Sequence, residues 1–220
     1  MTDSIINING DSVQTLEILL ITTLISIAPS LVVMMTSFGR YVISLSFLRS
    51  AMGTQQSPPN VVLTGIALFL TLFTMSPVLA DINETAYQPY AQEQIGQEEF
   101  LERAAIPLKE FMLKNTEIPT LEMFCELAHV EPVQGEEAME LSLAIIIPAF
   151  MTCELKEAFL TGFLLYIPFT LIDIVVSSTL MSMGMVMLPP AMISAPFKLL
   201  LFISVNGWDL VFSSLIKGVN

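Results

Sequence analysis

The sequence predicts an all-α, membrane-associated protein, and three observations carry that expectation. Hydrophobic residues make up 54% of the 220 positions and charged residues only 13%, with a mean hydropathy of +0.72. A soluble domain averages roughly 25% charged residues. The chain also holds apolar segments long enough to cross a hydrocarbon core, which takes about 20 residues as a helix. Where it turns polar, its apolar residues still recur at helical spacing. The length fits one domain of ordinary size. A net charge of −13 argues against nucleic acid as a partner, because little would neutralise the phosphates.

Taken in order, residues 16–35 form a first candidate span, interrupted only by Glu17, small hydroxyls and Pro29. The N-terminus carries Asp3, Asp11 and Glu17 and no base before Arg40, so a secretory signal with a basic start is not expected in this chain. A helix-like stretch bearing Arg40 and Arg49 ends near Met52. "GTQQSPPN" (53–60) holds Gly, Ser and two prolines and no apolar residue, which reads as a loop. Residues 61–80 form a second candidate span. Two bases between the spans place that short loop on the cytoplasmic side, and the chain start and the following insert outside.

Residues 81–140 carry 14 acids and 3 bases (Arg103, Lys109, Lys114), an acidic insert within an apolar protein. In "QEEFLERAAIPLKEFMLKNT" the apolar Phe100, Leu101, Ala104, Leu108, Phe111 and Met112 have helical spacing. "TLEMFCELAHV" repeats the theme, with Thr120 as N-cap and Glu122 in the first turn. These are two or three short amphipathic helices that pack on something. The lone His129, near Cys125 and Glu126, makes a poor metal site and reads as a surface residue. Cys125 and Cys153 read as two isolated thiols.

From Leu141 the chain is apolar almost to its end. "LSLAIIIPAFMTC" is too short to span alone, "ELKE" (154–157) follows, and the next 31 residues hold one charge, Asp173. Prolines 148, 168, 189, 190 and 196 are expected to break this half into pieces. Glu154, Lys156, Asp173, Lys198 and Asp209 are each costly at membrane depth unless paired or hydrated. An ion or proton path would use them; so would pairing within or between subunits, which the presence of both signs favours. There is no HExxH, GxSxG or GxxxxGK[ST], so no enzyme, metal or cofactor is expected.

In "MSMGMVMLPP" (181–190) four methionines alternate before two prolines. Gly184 weakens a helix, and Leu188 is pushed out of the α region by Pro189. Residues 185–188 are therefore expected to be a loop or helix end. Methionine in an apolar helix is ordinarily filler, but repeated around a ring of subunits such a loop would project a collar of adaptable thioethers.

The blocks "LSFLRSAMGTQQSPPN", "FLTLFTMSPV", "PAFMTCELKEAFLTGF", "PFTLIDIVVSSTLMSMGMVMLPP" and "PFKLLLFISVNGWDLVFSSL" together resemble the FliP family. These are export-gate proteins of bacterial flagella, related to the SctR proteins of virulence type III secretion. The resemblance covers residues 28–217, with the insert matched only by position and character. It implies membrane-associated helical hairpins assembling into a multi-subunit helical pore, in a homo-oligomer with FliQ-like and FliR-like subunits. Such a pore would sit in the bacterial inner membrane, at the flagellar basal body among other export-apparatus proteins and membrane lipid, and pass unfolded protein substrates. The insert would be a small helical periplasmic domain.

The resemblance further implies a pore gasket of Met185, Val186 and Met187, flanked by a secondary pore loop of Met183, Gly184, Pro189 and Pro190. It implies charge pairs between neighbouring subunits for Glu154, Lys198 and Asp173. Val186 stands where the family commonly has a methionine, and Cys153 where it usually has Ser or His; Leu160 and Thr161 also depart from it. The expected organisation is residues 1–80 as an N-terminal hairpin, 81–140 as the insert, and 141–220 as the apolar helices with the methionine-rich loop. Alternatives are an SctR-type virulence subunit, an ion channel or secondary transporter, and a purely structural scaffold.

Overall fold

A computed structural model describes residues 6–8, 11–13, 19, 22–23, 26–27, 30, 33–54, 56–133, 135–185 and 187–219. The protein is helical, as expected. Among the described residues the exceptions are two short strands, β1 (Ile6–Ile8) and β2 (Asp11–Val13), paired antiparallel with Ile6 opposite Val13. The sequence between them is Asn-Gly, the dipeptide favoured in two-residue hairpins, a signal the all-α reading passed over. The first candidate span, 16–35, falls largely outside the described residues; Leu19, Ile27 and Met34 within it are helical.

Helix α1 (Phe38–Met52) ends at Gly53, whose left-handed φ of 72° closes it and opens the expected loop. Helix α2 (Asn60–Thr74) begins the second candidate span, but that span is not straight. At Met75 the chain turns into α3 (Ser76–Ile82), a π-helical turn (Asn83–Tyr87) and α4 (Gln88–Ala91), bent by 55° from α2. Pro77 lies in the first turn of α3, where a missing N–H leaves no bond unmade.

The insert holds α5 (Gln97–Lys114), α6 (Ile118–Leu127) and a 3-10 helix (Gly135–Glu140). Phe111 and Met112 are buried as the spacing foretold, whereas Leu101 stays exposed. Helix α6 starts before Thr120, with Glu117 as its N-cap residue, because Pro119 suits a first turn and draws the start forward. The something on which these helices pack is the beginning of α7 (Leu143–Ser182). Phe111, Met112, Leu121 and Cys125 share one core with Ile145, Ile146, Ala149 and Phe150.

Helix α7 corrects the expectation of a broken C-terminal half. It runs unbroken for 40 residues, through "ELKE", Pro148 and Pro168. It opens on Ser142, whose hydroxyl accepts the Ala144 N–H at 3.3 Å as an N-cap. A proline inside a helix forfeits one hydrogen bond and crowds the carbonyl four residues back. Both sites are flanked by packing that holds the axis. Ile145 to Phe150 lie in the insert core around Pro148, and α1 lies along the middle of α7 up to Phe169. The approach of α1 is close: a Cβ added to Gly162 would meet the Phe47 ring at 2.5 Å. Pro196 likewise lies inside α8 (Pro190–Ser204), so only the Pro189–Pro190 pair separates helices.

Helix α9 (Gly207–Lys217) turns away from α8 by 67° at Asn206. A second core gathers Tyr41, Leu45 and Leu48 of α1, Leu63 and Ala67 of α2, Phe169 of α7, Phe202 of α8, and Val211 and Leu215 of α9. Helix α7 belongs to both cores. At 1.5 Å per residue it is about 60 Å long, twice a hydrocarbon core of ~30 Å. It is the one described helix long and apolar enough to cross a membrane, and there are up to three spans if each bent pair counts as one. Phe69, Phe163, Leu171, Leu200 and Ile203 all stay exposed. Apolar surface on that scale marks faces that meet lipid or other chains.

Candidate functional site

Helix α7 ends in a loop built for its sequence. Gly184 adopts φ 74°, a left-handed conformation that costs a residue with a Cβ roughly 1–2 kcal/mol. The Gly184 N–H bonds the Met181 carbonyl and the Met185 N–H bonds the Leu180 carbonyl, both at 3.0 Å. This paired pattern is the Schellman motif, which satisfies the last carbonyls of a helix. Residues 185, 187 and 188 then leave the helix, as expected, and Pro189 and Pro190 start α8 with Pro190 in its first turn.

Thioethers crowd this tip. Met181, Met183 and Met185 are exposed, and Met187 is 97% exposed. Val186, the middle gasket residue, lies outside the described residues. Gly184→Ala should cost about 1 kcal/mol, read as a lowered Tm in detergent, with Gly184→Asn costing less because Asn tolerates the left-handed region.

Below the tip, α8 folds back along α7 and a polar network holds the two together. Asp173 of α7 accepts Ser194 Oγ at 2.6 Å on one carboxylate oxygen and Lys198 Nζ at 2.7 Å on the other. Lys198 also donates to the Ala51 carbonyl at 3.1 Å, so its charge lies at the C-terminal end of α1, where a helix favours a cation. Asp173 stands ten residues before Met183, about 15 Å along the axis, so the network braces the hairpin that ends in the methionine loop.

A second pair lies in the first third of α7. Glu154 is 1% exposed and Arg40 4%. The guanidinium grips the carboxylate with both edges, Nε to Oε2 at 2.9 Å and Nη2 to Oε1 at 2.5 Å, and its Nη1 donates to the Gly218 carbonyl that ends α9. Three elements therefore meet on one arginine. Lys156 pairs with Glu117 at 2.7 Å on the surface, tying the insert to α7; solvent screens such an exposed pair, so it adds little to stability.

Of the residues expected to pair between subunits, Lys198 and Asp173 meet each other within one chain, and Glu154 meets Arg40. Asp173 keeps 42% of its side chain exposed. Arg40 and Ser194 were not singled out as functional residues by the sequence. The signal for Arg40 was there: a base beside an apolar segment, facing a chain with a costly carboxylate in need of a partner. Nothing local marked Ser194.

His129 is exposed just beyond α6, at φ 57°. Cys125 and Cys153 are free and buried, and the Cys153 sulfur accepts the Glu117 N–H at 3.3 Å. Among the described residues no group of His, Cys, Asp or Glu could hold a metal ion.

An exposed thioether loop, charges neutralised inside the chain and long uncovered apolar faces define an apolar, helical, membrane-associated protein. The model of the FliP family matches residues 20–215. A flagellar biosynthetic protein FliP of Pectobacterium carotovorum is 50% identical over 204 residues, 93% of this chain and 77% of its own length. That of Aquifex aeolicus is 48% identical over 208 residues, 94% and 87% respectively. That of Bacillus subtilis is 47% identical over 204 residues, 93% and 91%. The chain belongs to the FliP family.

Proposed function

We propose that this chain is a core subunit of the flagellar type III protein export gate, in the inner membrane at the flagellar basal body. Copies of it join FliQ-like and FliR-like subunits around a pore for unfolded flagellar proteins, with the acidic insert on the periplasmic side. Family membership and relatives named as flagellar biosynthetic proteins support the setting. The observation that carries the mechanism is the methionine tip: thioethers held outward on a hairpin that Gly184 closes and Asp173, Ser194 and Lys198 brace.

Repeated around a ring, Met185, Val186 and Met187 form a collar narrow and apolar enough to exclude water, and a hydrophobic constriction gates by dewetting. Unbranched methionine has three rotatable bonds and a polarisable sulfur, so the collar deforms around a passing chain of any sequence. Met183, Gly184, Pro189 and Pro190 fix where the collar sits.

The test replaces Met185, Val186 and Met187 together with alanine and measures small-ion leakage through the assembled complex. Leakage should rise while the complex keeps its mass. An assembled triple variant that stays ion-tight would overturn the gasket.

A further inference from the structure

We infer that the groove between α5 and the 3-10 helix of the insert is a docking site for a basic amphipathic helix of another protein. The groove encloses about 750 Å³, within the roughly 300–1,000 Å³ of sites that bury a ligand. Leu101, Ala105 and Ile106 of α5 line one side, and Met139 and Leu143 the other. Leu101 is 60% exposed and Ile106 48%, although Leu101 has the helical spacing of a packed residue. The rims of the groove are acidic. Glu102 and Glu140 line it, one from each helix, and Glu98 and Glu137 stand one turn before them on the same two helices. All four carboxylates are exposed, and among the described residues none of them makes a side-chain hydrogen bond or ion pair.

The nearby bases are already engaged. Lys109, which also lines the groove, donates to the Met139 carbonyl at 3.0 Å and the Leu141 carbonyl at 2.9 Å, so its charge caps the end of the 3-10 helix and pins one wall. Arg103 pairs with Glu99. An apolar floor is left between two rows of carboxylates. That pattern fits a helix with apolar residues one turn apart on one face and Lys or Arg on either flank. The apolar side chains fill the floor, and the flanking cations donate charge-assisted hydrogen bonds to the rims. The occupant is a helix rather than an added strand, because both walls are helical and offer no unpaired backbone edge, the last carbonyls of the 3-10 helix being held by Lys109. It comes from another protein rather than from a second copy. The chain carries a net charge of −13, and a second insert would bring its own carboxylates against these with the same sign. The inference stands on the fold of the insert and on neither a membrane placement nor the pore.

The test titrates the full chain, in the oligomer it forms on purification in a non-ionic detergent, into a fluorescein-labelled peptide of leucine and lysine about four helical turns long. Its leucines have helical spacing, and fluorescence anisotropy reads the Kd after subtraction of empty micelles. Two control peptides carry glutamate for lysine or alanine for leucine. The leucine–lysine peptide should bind about tenfold or more tightly than either control, and added salt should weaken it. Glu102→Gln combined with Glu140→Gln should raise the Kd about tenfold, the loss expected for one or two charge-assisted bonds, and flatten the salt dependence. Leu101→Ser combined with Ile106→Ser should raise the Kd while leaving the salt dependence as it is. All four positions are exposed, so the variants should fold, and an unchanged oligomer mass confirms it. Equal binding of the glutamate peptide overturns the inference, as does an affinity indifferent to both double variants. Variants that change the oligomer mass and not the peptide affinity overturn it too, since a second copy of the chain would then fill the groove. None of these outcomes bears on leakage at residues 185–187, so this inference and the gasket fail separately.

Discussion

Replacing Glu154 with alanine is expected to destabilise the chain by about 3–5 kcal/mol, the usual cost of breaking a buried ion pair from one side. The carboxylate is 1% exposed and its partner Arg40 4%. Once Glu154 is gone, Arg40 keeps only the Gly218 carbonyl, and its charge stays buried without a counter-ion. The pair itself need not be a large source of stability, because taking both ions out of water offsets much of their attraction. Arg40→Met combined with Glu154→Leu should therefore recover much of the loss, short of the Arg40 bond to Gly218. The measurement is unfolding in detergent, by heat or denaturant. A single variant within 1 kcal/mol of the parent would show that the pair is hydrated rather than buried.

The same residue separates two readings of the embedded charges. Pairing within the chain predicts that Arg40→Glu with Glu154→Arg partly rescues what either reversal destroys. Pairing between neighbouring copies, which the resemblance implies for Glu154 and Lys198, predicts instead that Glu154→Lys with Lys198→Glu rescues complex formation. Rescue by the Lys198 exchange alone would show that Glu154 changes partner on assembly.

Gly207→Ala is the second large effect. An added Cβ would lie 2.2 Å from Cδ2 and 2.3 Å from Cε2 of Phe202. That ring cannot step aside cheaply: it is buried, with Trp208 edge-on at 5.1 Å and Phe169 at 6.4 Å. Overpacking of this kind costs about 1–3 kcal/mol, while the better helix propensity of alanine returns at most about 1. The expected result is a clear drop in Tm and a looser bend between α8 and α9. Phe202→Leu in the same chain should restore part of the loss by vacating the space. A Gly207→Ala chain as stable as its parent would mean that the bend relaxes freely.

Much of this arrangement is legible in the residues. Alanine-poor but apolar stretches of span length, helical spacing inside the acidic insert, and Gly and Pro at 53–60 and 184–190 all act over a few neighbouring positions. For that reason most of the helices, the loop after α1 and the loop at residues 185–188 could be placed from the chain alone, and the family resemblance from five blocks in order, whereas the methionines by themselves read as filler. Thr120 failed as a cap because a competing local signal, Pro119, lay one residue away.

The tertiary structure decided what depends on residues far apart. Arg40 and Glu154 are separated by 114 positions, and no local pattern says which of several costly charges will meet. Pro148 and Pro168 looked like breaks, yet α7 runs through both, because an axis clamped on either side outweighs one missing hydrogen bond. Gly162 and Gly207 are permissive residues in sequence and become close-contact sites only when Phe47 and Phe202 arrive against them. By itself the sequence determined most of the helical segments and the turns at 53–60 and 184–190, since backbone preference and apolar spacing are short-range. Which charges neutralise each other, and which glycines and prolines matter, was decided by packing, because only burial gives a charge or a Cβ its cost.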